Sequence, residues 1–265
     1  MPKGSLVAVG TGIKAIAHLT MEARSRIEQA DKVLYCVADT VTETWIRELN
    51  PTSENLYVYY GDAKPRIRTY EDMVDRTLYF VRQGLNVCQV FYGHPGVFVF
   101  ATHEAMAILR DEGYRVEMLP GISAEDCLYA DLSIDPATHG CQVYEATDFL
   151  IRRRVIDPTV PVILWQIGVV GELGYNHEGF ELRGLPVLVE ELQKVYGTDY
   201  EVVIYEAASY PIARPRIDVM KLSELSPSNI TAISTMFIPP REASKVDFEK
   251  RAIWREENAR TVLAS

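Results

Sequence analysis

Short apolar runs alternate with amphipathic segments along the first half of the chain. The runs predict strands at 5–9, 32–37, 86–92 and 115–119, and the segments between them predict helices at 20–30, 70–83 and 98–111. Thr20 is placed to cap the first helix, and Gly84 and Gly113 follow the other two. This β-α-β alternation is typical of a mainly parallel sheet covered by helices.

After Leu119 the predicted strands are spaced further apart along the chain. The pattern predicts strands at 140–145, 160–166, 201–206 and 230–238, an irregular segment at 166–184 and a helix at 186–196. We therefore predict an α/β protein with two α/β domains, residues 1–119 and 120–240. The remaining stretch, 241–265, carries 11 charged residues in 25, which predicts a charged helical extension at the surface.

The composition and net charge of the chain limit the kinds of molecule that it is expected to bind. The 265 residues are 48% hydrophobic and 24% charged, and the net charge of −10 disfavours nucleic acids and anionic membranes. No apolar run approaches the roughly 18 residues that a membrane helix needs. The four cysteines show no CxxC spacing and the five histidines no HxH or HExxH spacing, so we expect a reduced, cytoplasmic protein without a metal site.

Three turns rich in glycine or proline follow predicted strands. Gly10-Thr11-Gly12 is compatible with a tight turn or with a ligand site, and Asp39 is the nearest acidic residue for a ribose. The YGHPGVF segment at 92–98 lies where open α/β sheets bind ligands, although a structured turn with a solvent-facing His94 is the alternative. Ser123 is placed as a helix N-cap, which is compatible with a ligand role.

Tyrosine is unusually frequent, with 15 residues against 8 Phe and 3 Trp. Five of the tyrosines fall between Tyr57 and Tyr79, interleaved with Arg66 and Arg68. Such a cluster is compatible with ring packing, with stacking on RNA, or with catalysis in which phenols and a guanidinium handle a proton and a developing negative charge.

Longer motifs carry a resemblance. The segments VGTG, YGHPGVF, LPGISAEDCLYADLSIDP, LWQIG, VVIYEAA and ISTMFIPP occur in this order. Together they resemble the tetrapyrrole methylase superfamily, the class III S-adenosylmethionine methyltransferases. The tyrosine-rich YVYYGDAKPRIRTY segment further resembles the borosin peptide backbone α-N-methyltransferases.

This resemblance implies a homodimeric enzyme of two α/β domains, with S-adenosylmethionine in the cleft between them and S-adenosylhomocysteine as product. It implies methylation of backbone amides in a ribosomally made precursor peptide. Fused fungal members carry that peptide as a C-terminal tail. This chain ends at Ser265 without an apolar repeat. We therefore expect the split bacterial type, which forms a heteromeric complex with a separate precursor.

The resemblance also implies site residues. The cofactor is expected against Tyr92, His94, Val97, Ala124, Gln166, Ala207, Ser234 and Thr235, with Gly10, Pro95 and Ser123 nearby. The catalytic set implied is Tyr57, Tyr60, Arg66, Tyr70 and Tyr92.

Methylation of an amide nitrogen requires loss of its proton, because the nitrogen lone pair is delocalised into the carbonyl. We hypothesise that Tyr70, acidified by Arg66, removes the proton. Arg66 with Tyr57 or Tyr60 would stabilise the carbonyl oxygen, and Tyr92 would orient the peptide. Two alternatives are a tetrapyrrole C-methyltransferase acting on a precorrin or uroporphyrinogen, and an inactive peptide-binding scaffold.

Overall fold

The computed structural model describes residues 3–37, 39–62, 64–172, 174 and 182–254. The first sheet contains β1 (Ser5–Gly10), β2 (Lys32–Cys36), β3 (Glu54–Asn55), β4 (Asn86–Phe91) and β5 (Arg115–Met118), all parallel and ordered β3-β2-β4-β1-β5. Its helices are α1 (Met21–Gln29), α2 (Thr40–Leu49), α3 (Arg66–Arg82) and α4 (Phe100–Asp111). The predicted parallel sheet with covering helices is confirmed.

Apolar clusters fix this sheet between its helices. One cluster joins strand residues such as Leu6 and Leu34 to Met73 and Val81 of α3 and to Leu109 of α4. The other face packs Val9, Val33 and Val90 against α1 and α2. Because side chains alternate across each strand, both faces of the sheet are buried, as the nearly continuous apolar runs predict.

The second sheet is mixed. It contains β6 (Gln142–Glu145), β7 (Val162–Trp165), β8 (Glu201–Glu206), β9 (Arg216–Lys221) and β10 (Thr235–Ile238), ordered β6-β7-β10-β8-β9. Only the β6–β7 pair among these is parallel. The helices of this half are α5 (Ala124–Leu132), α6 (Pro136–His139), α7 (Ala146–Ile151) and α8 (Leu185–Tyr196).

Several elements differ from the prediction. Helix α3 begins at Arg66 rather than near Tyr70, so Arg66 and Tyr70 lie in adjacent turns of one helix. Helix α2 and strand β9 were not predicted, and the strand predicted at 230–238 begins only at Thr235. In the predicted irregular segment 166–184, Ile167–Val169 form one 3-10 turn, whereas 173 and 175–181 lie outside the described residues.

The charged C-terminal extension is only partly described. Residues 241–247 are not helical, whereas 248–254 are helical and exposed. The predicted helix beyond 254 lies outside the described residues. The first sheet ends at Met118 and the second begins at Gln142, and the domain division at 119/120 stays a prediction.

Candidate functional site

A cavity of about 500 Å³ lies between the two sheets. The first sheet contributes residues that follow the carboxyl ends of β1 and β4, among them Gly12 and Tyr92. The second sheet contributes Gln166 after β7, Ala207 after β8 and Thr235 at the start of β10. The cavity therefore lies where open α/β sheets bind ligands.

Two glycine turns shape the wall from the first sheet. Gly12 and Gly93 exchange backbone hydrogen bonds, with N–O distances of 3.2 and 2.9 Å. A Cβ atom on Gly10 would lie 2.0 Å from the carbonyl oxygen of Gly93, so only glycine allows this approach. Gly10 thus packs backbone on backbone, whereas Thr11 and Gly12 line the cavity.

The histidine turn is structured and also faces the cavity. Nδ1 of His94 accepts a hydrogen bond of 3.0 Å from the Gly96 amide, and His94 and Val97 both line the cavity. Pro95 is buried behind this turn, with its Cδ 3.0 Å from the place of a Cβ on Gly10. The turn is therefore structured and faces the cavity, and its role in binding a ligand stays a prediction.

Ser123 is the N-cap of α5, as its position in the sequence predicts. Its amide and hydroxyl donate to Oδ2 of Asp126, at 2.7 Å each, and its Oγ accepts from the Asp126 amide at 3.2 Å. Ser123 and Ala124 both line the cavity, and Glu125 extends the same wall.

Two residues have other primary contacts than the sequence suggests. Asp39 lines the cavity, but its carboxylate accepts from the Thr42 amide at 2.8 Å and so caps α2. Ser234 is fully buried and does not line the cavity. Its hydroxyl donates to Oε1 of Glu206 at 2.6 Å, and the expected contact of Ser234 with a cofactor stays a prediction.

Aromatic rings form one side of the cavity. Tyr60 lies 4.9 Å from Tyr57 and 6.5 Å from Tyr70 between ring centroids, and Tyr70 lies 6.2 Å from Phe100. Tyr60, Tyr70 and Phe100 line the cavity, whereas Tyr57 supports them from the surface. Three of the five clustered tyrosines, Tyr57, Tyr60 and Tyr70, are therefore in ring contact, which confirms ring packing, whereas their catalytic role stays a prediction.

Burial and nearby ionisable groups shift the pKa values of Tyr60 and Tyr92. Burial, the nearby ionisable groups of Tyr70 and Cys36 and a hydrogen bond with Tyr70 raise the pKa of Tyr60 far above its ordinary value. Burial around the hydroxyl also raises the pKa of Tyr92, although the residue as a whole is 56% exposed and lines the cavity. The Arg66 guanidinium opposes that rise and thus acts on Tyr92, although Arg66 does not line the cavity.

Some residues of the site were not found from the sequence. Trp165 lines the cavity, with its ring 6.2 Å from that of Phe98, and its buried Nε1 has no hydrogen-bond partner among the described residues. Phe98 and Gln166 have φ angles of 56° and 60°, a left-handed backbone that side chains rarely adopt. Backbone strain of this kind is concentrated at binding sites, but no residue type in the sequence predicts it.

The charged side chains that line the cavity are acidic. Asp39 and Glu125 contribute carboxylates, and within the described part of the chain no Lys or Arg lines the cavity. Such a lining favours a cationic ligand over a polyanion. The described residues contain no group of three His, Cys, Asp or Glu side chains that could hold a metal ion. None of the described helices is long and apolar enough to cross a membrane.

The fold and site define a class of protein, a two-sheet α/β chain with a ligand cavity at the carboxyl edge of its parallel strands. The family model of tetrapyrrole (corrin/porphyrin) methylases matches residues 5–225. The chain therefore belongs to the tetrapyrrole methylase family, as its motifs imply.

Curated relatives are similar over most of this chain. It is 46% identical over 248 residues to the methyltransferase/ribosomally synthesized cyclic peptide dendrothelin A precursor of Dendrothele bispora, covering 92% of this chain and 60% of the relative. It is likewise 46% identical to the omphalotin A precursor of Omphalotus olearius, over 94% and 61% of the two chains. A type III borosin cyclic peptide precursor of Anomoporia bombycina is 45% identical. The chain thus spans about three fifths of the length of the first two.

Solved structures show the same fold at low identity. Uroporphyrin-III-C-methyltransferase from Thermus thermophilus superposes with a TM-score of 0.63 at 18% identity, covering 89% of this chain and 92% of that one. A cobalt precorrin-4 methyltransferase gives a TM-score of 0.61 at 19% identity, covering 89% and 94%. The predicted two-sheet α/β architecture is confirmed by these matches.

The cavity fits the cofactor implied by the sequence motifs. S-adenosylmethionine is a nucleoside that carries a sulfonium, an ammonium and a carboxylate group, so its net charge is positive. The carboxylates of Asp39 and Glu125 suit these cations, and the apolar side chains of Val97, Phe98 and Ile233 offer surface for an adenine ring.

Proposed function

We propose that this chain is an S-adenosylmethionine-dependent methyltransferase that methylates backbone amide nitrogens of a ribosomally made precursor peptide. Membership of the methylase family supports methyl transfer. The relatives at about 46% identity, each a methyltransferase joined to a cyclic peptide precursor, support a peptide substrate. The single observation that carries the choice of substrate is the cavity lining, which combines tyrosines with carboxylates and, in the described residues, holds no Lys or Arg.

The cofactor would be held by the residues that line the cavity between the sheets. These are Tyr92, His94, Val97, Ser123, Ala124, Gln166, Ala207 and Thr235. S-adenosylmethionine supplies a methyl group on a positively charged sulfur. Gly10, Pro95 and Ser234 would act from behind this surface, because they position the residues that line it.

Tyr70 is the proposed base for the amide proton. Because the pKa of Tyr60 is raised by burial, by ionisable neighbours and by its hydrogen bond with Tyr70, Tyr60 keeps its proton. Tyr60 can therefore donate a hydrogen bond to the Tyr70 oxygen, and we propose that Tyr70 releases its own proton to solvent before it accepts the amide proton. A tyrosinate is the stronger base that an amide N–H requires.

The negative charge that builds on the amide oxygen needs a donor beside the base. Arg66 lies one helical turn before Tyr70, and its charge already acts on the hydroxyl of Tyr92. Because Arg66 does not line the cavity, we propose that the amide oxygen projects beyond the lining to meet its guanidinium, with Tyr57, which packs on Tyr60, as a second donor. Tyr92, whose ring is exposed to the cavity, would orient the peptide toward the methyl donor.

A polycarboxylate tetrapyrrole fits the cavity less well, because carboxylates would face Asp39 and Glu125. An uncharged apolar peptide has no such cost. The prediction that the precursor is a separate polypeptide, bound in a heteromeric complex, and the prediction of a homodimer both stay predictions. Native mass spectrometry of the chain with and without a peptide tests them.

Methyl transfer to a peptide tests the proposed function. The chain would be incubated with isotopically labelled S-adenosylmethionine and a synthetic peptide from the part of the Omphalotus olearius precursor that this chain does not match. We expect labelled methyl groups on backbone nitrogens, located by tandem mass spectrometry. Transfer to carbon atoms of uroporphyrinogen III, offered in a parallel reaction, would support the tetrapyrrole alternative instead.

A further inference from the structure

Glu206, the last residue of β8, joins two walls of the cavity although it does not line the cavity itself. Its Oε1 accepts hydrogen bonds from Ser234 Oγ at 2.6 Å and from Thr231 Oγ1 at 2.8 Å. Ala207, directly after Glu206, lines one wall, and Ile233, directly before Ser234, lines the other. One carboxylate thus connects the end of β8 with the loop that leads into β10.

The loop of residues 231–234 is short and internally hydrogen-bonded. The Thr231 amide donates to Ser234 Oγ at 2.9 Å, and the Ser234 amide donates to the Thr231 carbonyl at 3.1 Å. Ala232 and Ile233 lie between these bonds and line the cavity. Ile233 is 67% exposed, so little packing of its own side chain holds it in place.

Gly168 holds the other side of this loop. A Cβ atom there would lie 1.9 Å from the Thr231 carbonyl oxygen, so the loop backbone is pressed against the turn that follows Gln166. The loop is therefore fixed between the Gly168 backbone and the Glu206 carboxylate. Of these two supports, only the Glu206 carboxylate comes from a side chain. Substitution of Glu206 would therefore remove one support and leave the Gly168 backbone contact in place.

Arg216 completes the arrangement. Its Nη1 donates to Oε1 of Glu206 at 2.8 Å, its Nη2 donates to the Asn229 carbonyl at 2.7 Å, and its Nε donates to Asp218 at 2.6 Å. The guanidinium thus connects β8 and β9 with the chain just before the loop. Burial alone would raise the pKa of Glu206, but the bonds from Ser234, Thr231 and Arg216 outweigh it and lower that pKa, so Glu206 is ionised at neutral pH.

We propose that Glu206 is a positioning residue that holds the loop 231–234 in the geometry required to bind the cofactor. The inference rests on the proposed binding of S-adenosylmethionine in this cavity. Glu206 touches neither the cavity nor the reacting atoms. It acts through the loop and through Thr235, which begins β10 and lines the cavity.

Calorimetric titration with S-adenosylhomocysteine tests this role without turnover. We expect Glu206→Ala to raise the Kd by about tenfold, since the hydroxyls of Ser234 and Thr231 lose their acceptor. In Glu206→Gln the amide oxygen can still accept from both hydroxyls, so most of the affinity should be recovered. The KM for the methyl donor should rise in Glu206→Ala with kcat nearly unchanged at saturation.

Glu54→Ala is the matched control. Glu54 is another half-buried carboxylate bound by an arginine, Arg76, at 2.7 Å, but it lies outside the cavity lining. The Glu54→Ala variant should have a lower melting temperature, and its Kd for S-adenosylhomocysteine should change by no more than about twofold. If Glu206→Ala binds as tightly as Glu54→Ala, the positioning role is wrong and Glu206 serves stability alone.

Two further outcomes are informative. If Glu206→Ala does not fold, Ser234→Ala removes one hydrogen bond of the same carboxylate and should weaken binding by about threefold. Unchanged affinity in Ser234→Ala would then overturn the role of Glu206. If the wild-type chain itself does not bind S-adenosylhomocysteine, the proposed function fails, which is a result distinct from either variant.

Discussion

The rings of Tyr60 and Tyr70 meet edge to face, with centroids 6.5 Å apart and planes at 86°. Their hydroxyls share a hydrogen bond, and it contributes to the raised pKa of Tyr60. Because burial and this hydrogen bond both raise the pKa of Tyr60, Tyr60 keeps its proton at neutral pH and has a hydrogen to donate. Burial in the fold, which the sequence does not show, thus fixes the protonation of Tyr60.

Gly10→Ala tests the close approach of the two cavity turns. The new Cβ would lie 2.0 Å from the Gly93 carbonyl oxygen, so one of the turns must move. We expect a loss of at least about 2 kcal/mol in the free energy of unfolding, measured by urea denaturation, together with weaker binding of S-adenosylhomocysteine. Gly61→Ala is the control, since nothing lies within 4 Å of its Cβ position. Equal stability of the two variants would contradict the packing described for Gly10.

Glu54→Gln tests an ion-pair cluster that stabilises the first sheet. Glu54 binds Arg76 through both oxygens, at 2.7 and 2.9 Å, and Lys32 at 3.0 Å. The hydrogen bond from Arg76 lowers the pKa of Glu54, and burial opposes this, while Lys32 reinforces it. We expect a loss of about 1–2 kcal/mol at pH 7, measured by urea denaturation.

The pH dependence of that loss has a definite sign. Because the folded pKa of Glu54 is depressed, the stabilisation is present above the unfolded value of 4.5 and is lost as the pH falls through the folded pKa. The difference between wild type and Glu54→Gln should therefore be constant from pH 8 to about pH 5.5 and shrink below it. A difference that grows on acidification would show that the ion pairs are not its source.

Arg66→Lys tests the guanidinium as a stabiliser of the amide oxygen. A lysine keeps the charge, but it lacks the planar fork, so we expect kcat for peptide methylation to fall by about 100-fold. Arg68→Lys, on the exposed face of the same helix and paired with Glu71, is the control and should retain activity. Near-normal turnover in Arg66→Lys would mean that only the charge is used.

Regular strands were predictable because burial on both faces leaves an uninterrupted apolar run, as in β1, β7 and β8. Helix α2 was missed because its sequence TVTETWIREL begins with β-branched residues, and its Asp39 cap is recognisable only once the helix is known. Strand β9 was missed because RIDVMK is an edge strand in which Ile217 and Val219 remain exposed.

From the residues themselves, only those parts of the site that are continuous in the sequence could be predicted. The turns at Gly10 and His94 and the tyrosines near Tyr60 are continuous in sequence, and the structure brings them to one cavity. Glu206 and Trp165 lie within quoted motifs, yet their roles depend on residues distant in the chain, such as Ser234 and Phe98. Long-range contacts of this kind have no signature in a single sequence.

Tyr70→Phe tests the central claim most directly, because it removes one hydroxyl and keeps the ring that packs on Phe100. Tyr79→Phe, on the exposed face of the same helix, is the matched control. Backbone N-methylation of the synthetic precursor peptide would be followed by tandem mass spectrometry, with S-adenosylhomocysteine affinity measured alongside. We predict that Tyr70→Phe loses methylation by about 100-fold or more with the affinity preserved. Methylation by Tyr70→Phe at the rate of Tyr79→Phe would contradict the account.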